Sequence, residues 1–150
     1  RESRLHERGN FLVPGEIVKA NFPNAFHPFD SEPEKNRLDF AKWLVTKDNP
    51  LAARVQVNRI WAILFGRGIV PSLGDFGSQG SFPSHPHLLD WLSVDFMENG
   101  WSQKKILKTI MLSDAYKRNT NASHEQLKLD PNNVFLARGP RVRLGAESKG

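Results

Sequence analysis

Apolar positions along the chain fall into four helical patterns, preceded by a stretch with no helical period. Leu38, Ala41, Leu44 and Val45 recur at i, i+3, i+6 and i+7, the apolar face of a helix predicted over residues 33–46. Ser31 and Glu34 have capping-box spacing at its start. A second helix is predicted over 50–65, with Asn49 as N-cap, Pro50 in the first helical position and Gly66 as the stop. Its Leu51, Val55, Val57, Ile60, Trp61, Ile63, Leu64 and Phe65 leave little polar surface, the pattern of a central helix covered by neighbours. Arg54, Asn58 and Arg59 are the informative residues on it, because polar groups on a buried helix need partners. The third helix opens at Ser84 with Pro86 in its first turn, carries Leu88, Leu89, Leu92 and Phe96, and ends at Asn99-Gly100. The fourth takes Ser102 as N-cap and turns Ile106, Leu107, Ile110 and Met111 inward, leaving Lys104, Lys105 and Lys108 to water. The short Asn99-Gly100-Trp101 link folds the last two into a hairpin or a helix-turn-helix.

Residues 1–33 read as an extended arm. Pro14-Gly15 marks a turn, and Pro23, Pro28 and Pro33 interrupt any helix. Phe11, Leu12, Val13, Ile17, Val18, Phe22, Phe26 and Phe29 are too apolar for a free tail, so the arm is expected to lie on a helical body and bury them. Short strands are expected at 11–13 or 17–18. Residues 66–83 form a Gly-rich loop long enough to suggest a role of its own. Residues 119–133 read as a polar loop, after which 134–137 return to the body. The expected fold is all-α: four main helices in a domain over 34–150, an arm over 1–33 and one long loop. The chain begins Arg1-Glu2-Ser3 and ends just after Leu144-Gly145-Ala146-Glu147, where a further helix could start. A fragment of a larger protein, cut at its C-terminus, is expected.

Charge is unevenly placed. Residues 1–99 carry 11 basic and 12 acidic side chains, whereas residues 100–150 carry 10 basic and 4 acidic. The net charge of +5 therefore belongs to the C-terminal third, which suits an anionic polymer, nucleic acid or an acidic neighbouring domain as readily as a plainly solvated face. The absence of Cys excludes disulfides, thiolate metal sites and a Cys nucleophile. No apolar run reaches the roughly 20 residues of a membrane span.

The densest chemistry lies in Asp75-Phe76-Gly77-Ser78-Gln79-Gly80 and the following Pro83-Ser84-His85-Pro86-His87. Glycines admit close backbone approach to a ligand, and the helix opening at Ser84 points its positive end into the same region. His85 is the candidate acid–base group, with Asp75 or Asp90 to orient it. Arg59 and Arg67 are candidates to hold an anion, with Ser84, Asn58 and Gln79 as further ligand contacts. The same residues also read as a Ser N-cap, a helix-opening Pro and histidines bonded to nearby carbonyls. His85, His87, Asp75 and Asp90 are metal-ligand types, but His-Pro-His at a helix start splays the rings and no zincin spacing occurs, so no metal is expected. The triplet Asp75-Phe76-Gly77 lacks every other kinase motif. The fourth helix offers only Gln103 and lysines to DNA, which would grip phosphate without reading bases; nucleic acid is not the expected partner.

Residues 36–44 and 49–61 resemble one known family, as do Phe65-Gly66-Arg67-Gly68-Ile69-Val70, the Asp75 to Gly80 run, Pro83-Ser84-His85-Pro86-His87 and Ser113-Asp114-Ala115-Tyr116. It is the planctomycete-type domain of unknown function found near the C-terminus of large proteins that often carry a cytochrome-c-like module. The resemblance spans about residues 5–147. It implies an exported parent, in the periplasm or at the cell surface, with any haem in a separate module and none in this chain. It implies no catalytic assignment. His85 matches the family pattern, whereas His87 stands where the family shows Glu. Together these readings describe an extracytoplasmic binding or scaffolding module for neighbouring domains or an anionic polysaccharide, with part of an enzyme or redox assembly using an acid–base site in the 75–90 loop as the alternative and nucleic-acid binding as a weaker one.

Overall fold

The computed structural model describes residues 3–23, 26 and 36–142. The chain divides into two compact units, Arg1–Asn49 and Pro50–Gly150. Among the described residues it carries six helices, four of them of seven or more residues, and one two-stranded sheet. The mainly helical fold expected from the periodicity is present.

In the first unit, β1 (Ser3–His6) pairs antiparallel with β2 (Pro14–Val18), with an irregularity between Arg4 and His6. Ile17 and Val18 are in a strand as expected; Phe11, Leu12 and Val13 are in the connection between strands, and β1 was not foreseen. The tip is closed locally: Asn10 Oδ1 accepts the Leu12 N–H at 3.0 Å, and the Glu7 N–H reaches Val13 O at 3.3 Å. Because these bonds satisfy the backbone without tertiary cover, the tip side chains stay in solvent. Phe11 and Leu12 are 76% and 73% exposed, which corrects the expectation that the arm buries them. Of that apolar set, Phe22 is buried.

The helix α1 (Arg37–Leu44) starts later than expected. Asn36 is its N-cap, accepting from Leu38 N (2.8 Å) and Asp39 N (3.2 Å), while Asp39 Oδ2 accepts from the Asn36 N–H (3.0 Å). The Ser31 and Glu34 pairing lies outside the described residues. Leu38, Leu44 and Val45, expected on the inward face, are exposed; Trp43 is the buried residue. The reason is aromatic packing. Phe22 stacks on Trp43 at 5.6 Å, Phe40 stacks on it at 5.5 Å, and Phe26 meets it edge-on at 5.9 Å.

The second unit is built on α2 (Ala52–Phe65), which packs against α3 (Pro86–Glu98) and α4 (Gln103–Met111). Ala53, Val57, Ile60 and Trp61 from α2 meet Leu89, Leu92 and Phe96 from α3 and Ile106 and Ile110 from α4. Gly66 ends α2 in the left-handed conformation, φ 77°, with its N–H on Ala62 O. The start differs from expectation: Leu51 is the N-cap, with no side-chain cap, so Asn49 and Pro50 precede the helix. At α3 the N-cap is His85, not Ser84, again without a side-chain cap. Ser102 caps α4 as expected, accepting from Lys105 N, but Met111 is exposed rather than inward. Between α3 and α4, Gly100 and Trp101 take positive φ values of 67° and 58°. This tight reversal returns the Trp101 N–H to Phe96 O at 2.9 Å and its ring edge-on to Phe96 at 5.2 Å.

Two short helices follow α4, of which the second lies within the segment read as loop, residues 119–133. The first, α5 (Asp114–Lys117), is capped by Ser113; the second, α6 (His124–Leu129), is capped by Ser123, which forms a capping box with Gln126. Beyond α6, the buried Asp130 carboxylate accepts the N–H groups of Val134 and Phe135, both at 2.8 Å, and Arg138 donates to the carbonyls of Asp130 and Pro131. That knot leaves Leu136 packed on the core and Phe135 exposed.

The loop after α2 is fastened at its neck. Ile69 and Val70 enter the core at 2% and 3% exposure. Asn58, fully buried, donates from Nδ2 to Val70 O and accepts from Val70 N at Oδ1, both at 2.9 Å. The adjoining Ile69 carbonyl accepts the Ser84 N–H at 2.9 Å and its hydroxyl at 3.2 Å. Gly68 is required here, because a Cβ would collide with the Val70 carbonyl and come within 2.8 Å of Asn58 Nδ2. Replacing Asn58 with Ala strands a buried N–H and a buried C=O, so Asn58→Ala is expected to lower unfolding stability by about 2–3 kcal/mol. Urea denaturation measures it, and a loss below about 0.5 kcal/mol would show that the clamp does not hold the loop.

Candidate functional site

With its neck closed, the loop over residues 71–83 doubles back on itself. Asp75 Oδ1 accepts the Gly77 N–H at 2.7 Å, Ser72 Oγ donates to Asp75 O at 2.7 Å, and the Ser81 N–H donates to Ser72 Oγ at 2.8 Å. Gly80 lies so close to this turn that a Cβ would strike the Asp75 carbonyl. The fold brings the loop alongside the first turns of α2 and α3, and an open cleft of about 410 Å³ lies between them. Phe76, Phe82, Pro83 and Pro86 line it with apolar surface, and Arg54 and Asp90 supply its charge. Arg54 Nε donates to Asp90 Oδ1 at 2.7 Å and Nη1 to Pro50 O at 2.6 Å. Phe82 is 94% exposed.

The expected site residues do not form one constellation. Asp90 faces this cleft, paired with Arg54. Asp75 is spent on the turn at Gly77, and Asn58 on Val70. Gln79 is exposed, and Arg59 is exposed and borders neither the cleft nor the hollow described next. Arg67, Ser84 and His85 do come together, around a separate hollow of about 20 Å³ whose wall includes Asn132 and Asn133. That space admits a water-sized group.

Within that hollow, His85 Nδ1 lies 3.0 Å from Ser84 Oγ. The Ser84 hydroxyl also lies 3.2 Å from Ile69 O, so its single proton serves either that carbonyl or the His85 ring, according to the imidazole's tautomer. Among the described residues, no carboxylate hydrogen-bonds to His85. No group of three or more His, Asp or Glu side chains is arranged to hold a metal ion among the described residues. No helix among them is long and apolar enough to cross a membrane.

Three residues of the cleft escaped the sequence reading as site residues. Arg54 was visible only as a polar residue needing a partner. Phe76 and Phe82 carried one signal, large aromatics within a Gly- and Ser-rich loop. The Arg54–Asp90 pair is half-exposed, with side-chain exposures of 37% and 50%, so water screens it. Asp90→Asn is therefore expected to change unfolding stability by less than about 1 kcal/mol. Thermal denataturation tests this, and a larger loss would mean the pair supports the fold rather than the cleft's surface.

The family PSD1, described as protein of unknown function (DUF1553), matches residues 36–148, which include all of α1 to α6, the cleft and the hollow. No curated protein and no solved structure matches the chain.

Proposed function

The chain belongs to the PSD1 family of proteins of unknown function (DUF1553), and on that premise we propose that it is a binding module of a larger protein, engaging an anionic polymer or an acidic neighbouring domain. One observation carries the reading: α4 turns Lys104, Lys105 and Lys108 outward from a core-facing Ile106 and Ile110. Lys105 Nζ donates to Asn99 Oδ1 at 3.2 Å, while Lys104 and Lys108 have no ion-pair or hydrogen-bond partner among the described residues. Just beyond α4 in the chain, Lys117 and Arg118 are exposed as well, Lys117 lying 3.8 Å from Asp114 Oδ1. Such a face attracts polyanions over about a Debye length.

The acid–base alternative has less support. It needs His85 next to Asp75 or Asp90, and each of the three has a different partner. We place the module outside the cytoplasm, in the periplasm or at the cell surface, on the strength of its sequence resemblance. In this reading haem belongs to a separate module of the parent, and no residue here is assigned to it.

Calorimetric titration with polygalacturonate and with dextran sulfate tests the binding. Affinity is expected to fall steeply between about 50 and 500 mM NaCl. The double variant Lys104→Glu/Lys108→Glu should weaken it by at least about tenfold. Binding that is indifferent to salt, or no binding to either polymer at low salt, would refute the proposal.

A further inference from the structure

We propose that the cleft between the loop and the starts of α2 and α3 is a second site, which binds a neutral pyranose unit of a saccharide. It lies on different residues from the basic face of α4, and its ligand chemistry is different.

The polar equipment of the cleft is one ion pair with spare capacity. Arg54 uses Nε on Asp90 Oδ1 and Nη1 on Pro50 O. Its Nη2 and Asp90 Oδ2 have no partner among the described residues. The pair thus offers a donor and an acceptor with no net charge. An anion would be repelled by Asp90 and a cation by Arg54. A vicinal diol satisfies both, because each hydroxyl can donate and accept.

The rest of the wall suits the apolar face of a sugar ring. Phe82, 94% exposed, presents its ring at the cleft. Phe76 is partly buried against the core beneath. The C–H face of a pyranose can lie on Phe82 while its hydroxyl edge reaches the ion pair. An extended peptide fits less well. Pro50, Pro83 and Pro86 have no N–H to offer, so these stretches of wall can accept from a peptide backbone but cannot donate to it. The volume of about 410 Å³ falls within the range of small-molecule sites, about 300–1,000 Å³.

The test is amide chemical-shift mapping on the 15N-labelled chain, titrated separately with cellohexaose, xylohexaose, mannohexaose and laminarihexaose to about 10 mM. At least one sugar is expected to shift the Gly77, Ser78, Gly80 and Ser81 amides, with an affinity unchanged by salt. Phe82→Ala should weaken that binding by at least about tenfold. That substitution removes an exposed ring and leaves the core intact, and the spectrum of the free variant reports the fold directly. Asp90→Ala should weaken it comparably, whereas Lys104→Glu/Lys108→Glu should leave it unchanged. No shift with any of the four sugars overturns the proposal, as do shifts that survive Phe82→Ala. Shifts of the same amides by a proline-rich peptide, without any sugar response, would reassign the cleft to peptide.

Discussion

A single carboxamide governs the second unit. Asn58 projects from the buried face of α2 and binds both backbone groups of Val70, one with each end of its amide. A buried amide needs both partners, because desolvating it unpaired costs on the order of 2 kcal/mol or more. No other side chain of its size presents a donor and an acceptor in that geometry. Once Val70 is held, Ile69 lies in the core and its carbonyl takes up Ser84 from the far end of the loop. The loop then has two fixed ends, and its middle must rise beside the first turns of α2 and α3. The cleft is a consequence of that clamp.

Holding the loop in this way separates chemistry that is adjacent in sequence. Asp90 and His85 are five positions apart, yet they border different depressions. The helix periodicity sends position 90 towards α2, where Arg54 meets it. His85 stays at the N-cap with Ser84, facing Arg67 and the segment around Asn132. The region therefore presents two separate depressions, one with apolar walls and an ion pair, the other bordered by His85 and Arg67.

The exposed basic face arises from a different constraint. Helix α4 turns Ile106 and Ile110 into the core with Leu107 packed beside them, and leaves Gln103, Lys104, Lys105, Lys108 and Met111 to water. Lysine fills three of them, while acidic partners are scarce in this third of the chain. The binding proposed for this face would depend on charge density, whereas that proposed for the cleft would depend on shape and paired hydrogen bonds, so salt would separate the two.

Local signals in the sequence were enough for much of this protein. The apolar repeats of α2, α3 and α4, the Gly66 stop, the Ser102 cap and the outward lysines follow from periodicity and capping, which act within a few residues. Helix starts were less legible at Asn36, Leu51 and His85, because several nearby Ser, Asn and Pro residues offered equivalent openings and packing chose among them. The burial of Trp43 over Leu38 was decided by Phe22, which is distant along the chain. So was the role of Asn58: the sequence marked it as a polar residue needing a partner, and only the fold supplied Val70. The sequence determined which residues could carry function; the tertiary structure decided which of them meet, because hydrogen bonds and ring contacts between distant segments depend on how the chain closes and not on spacing along it.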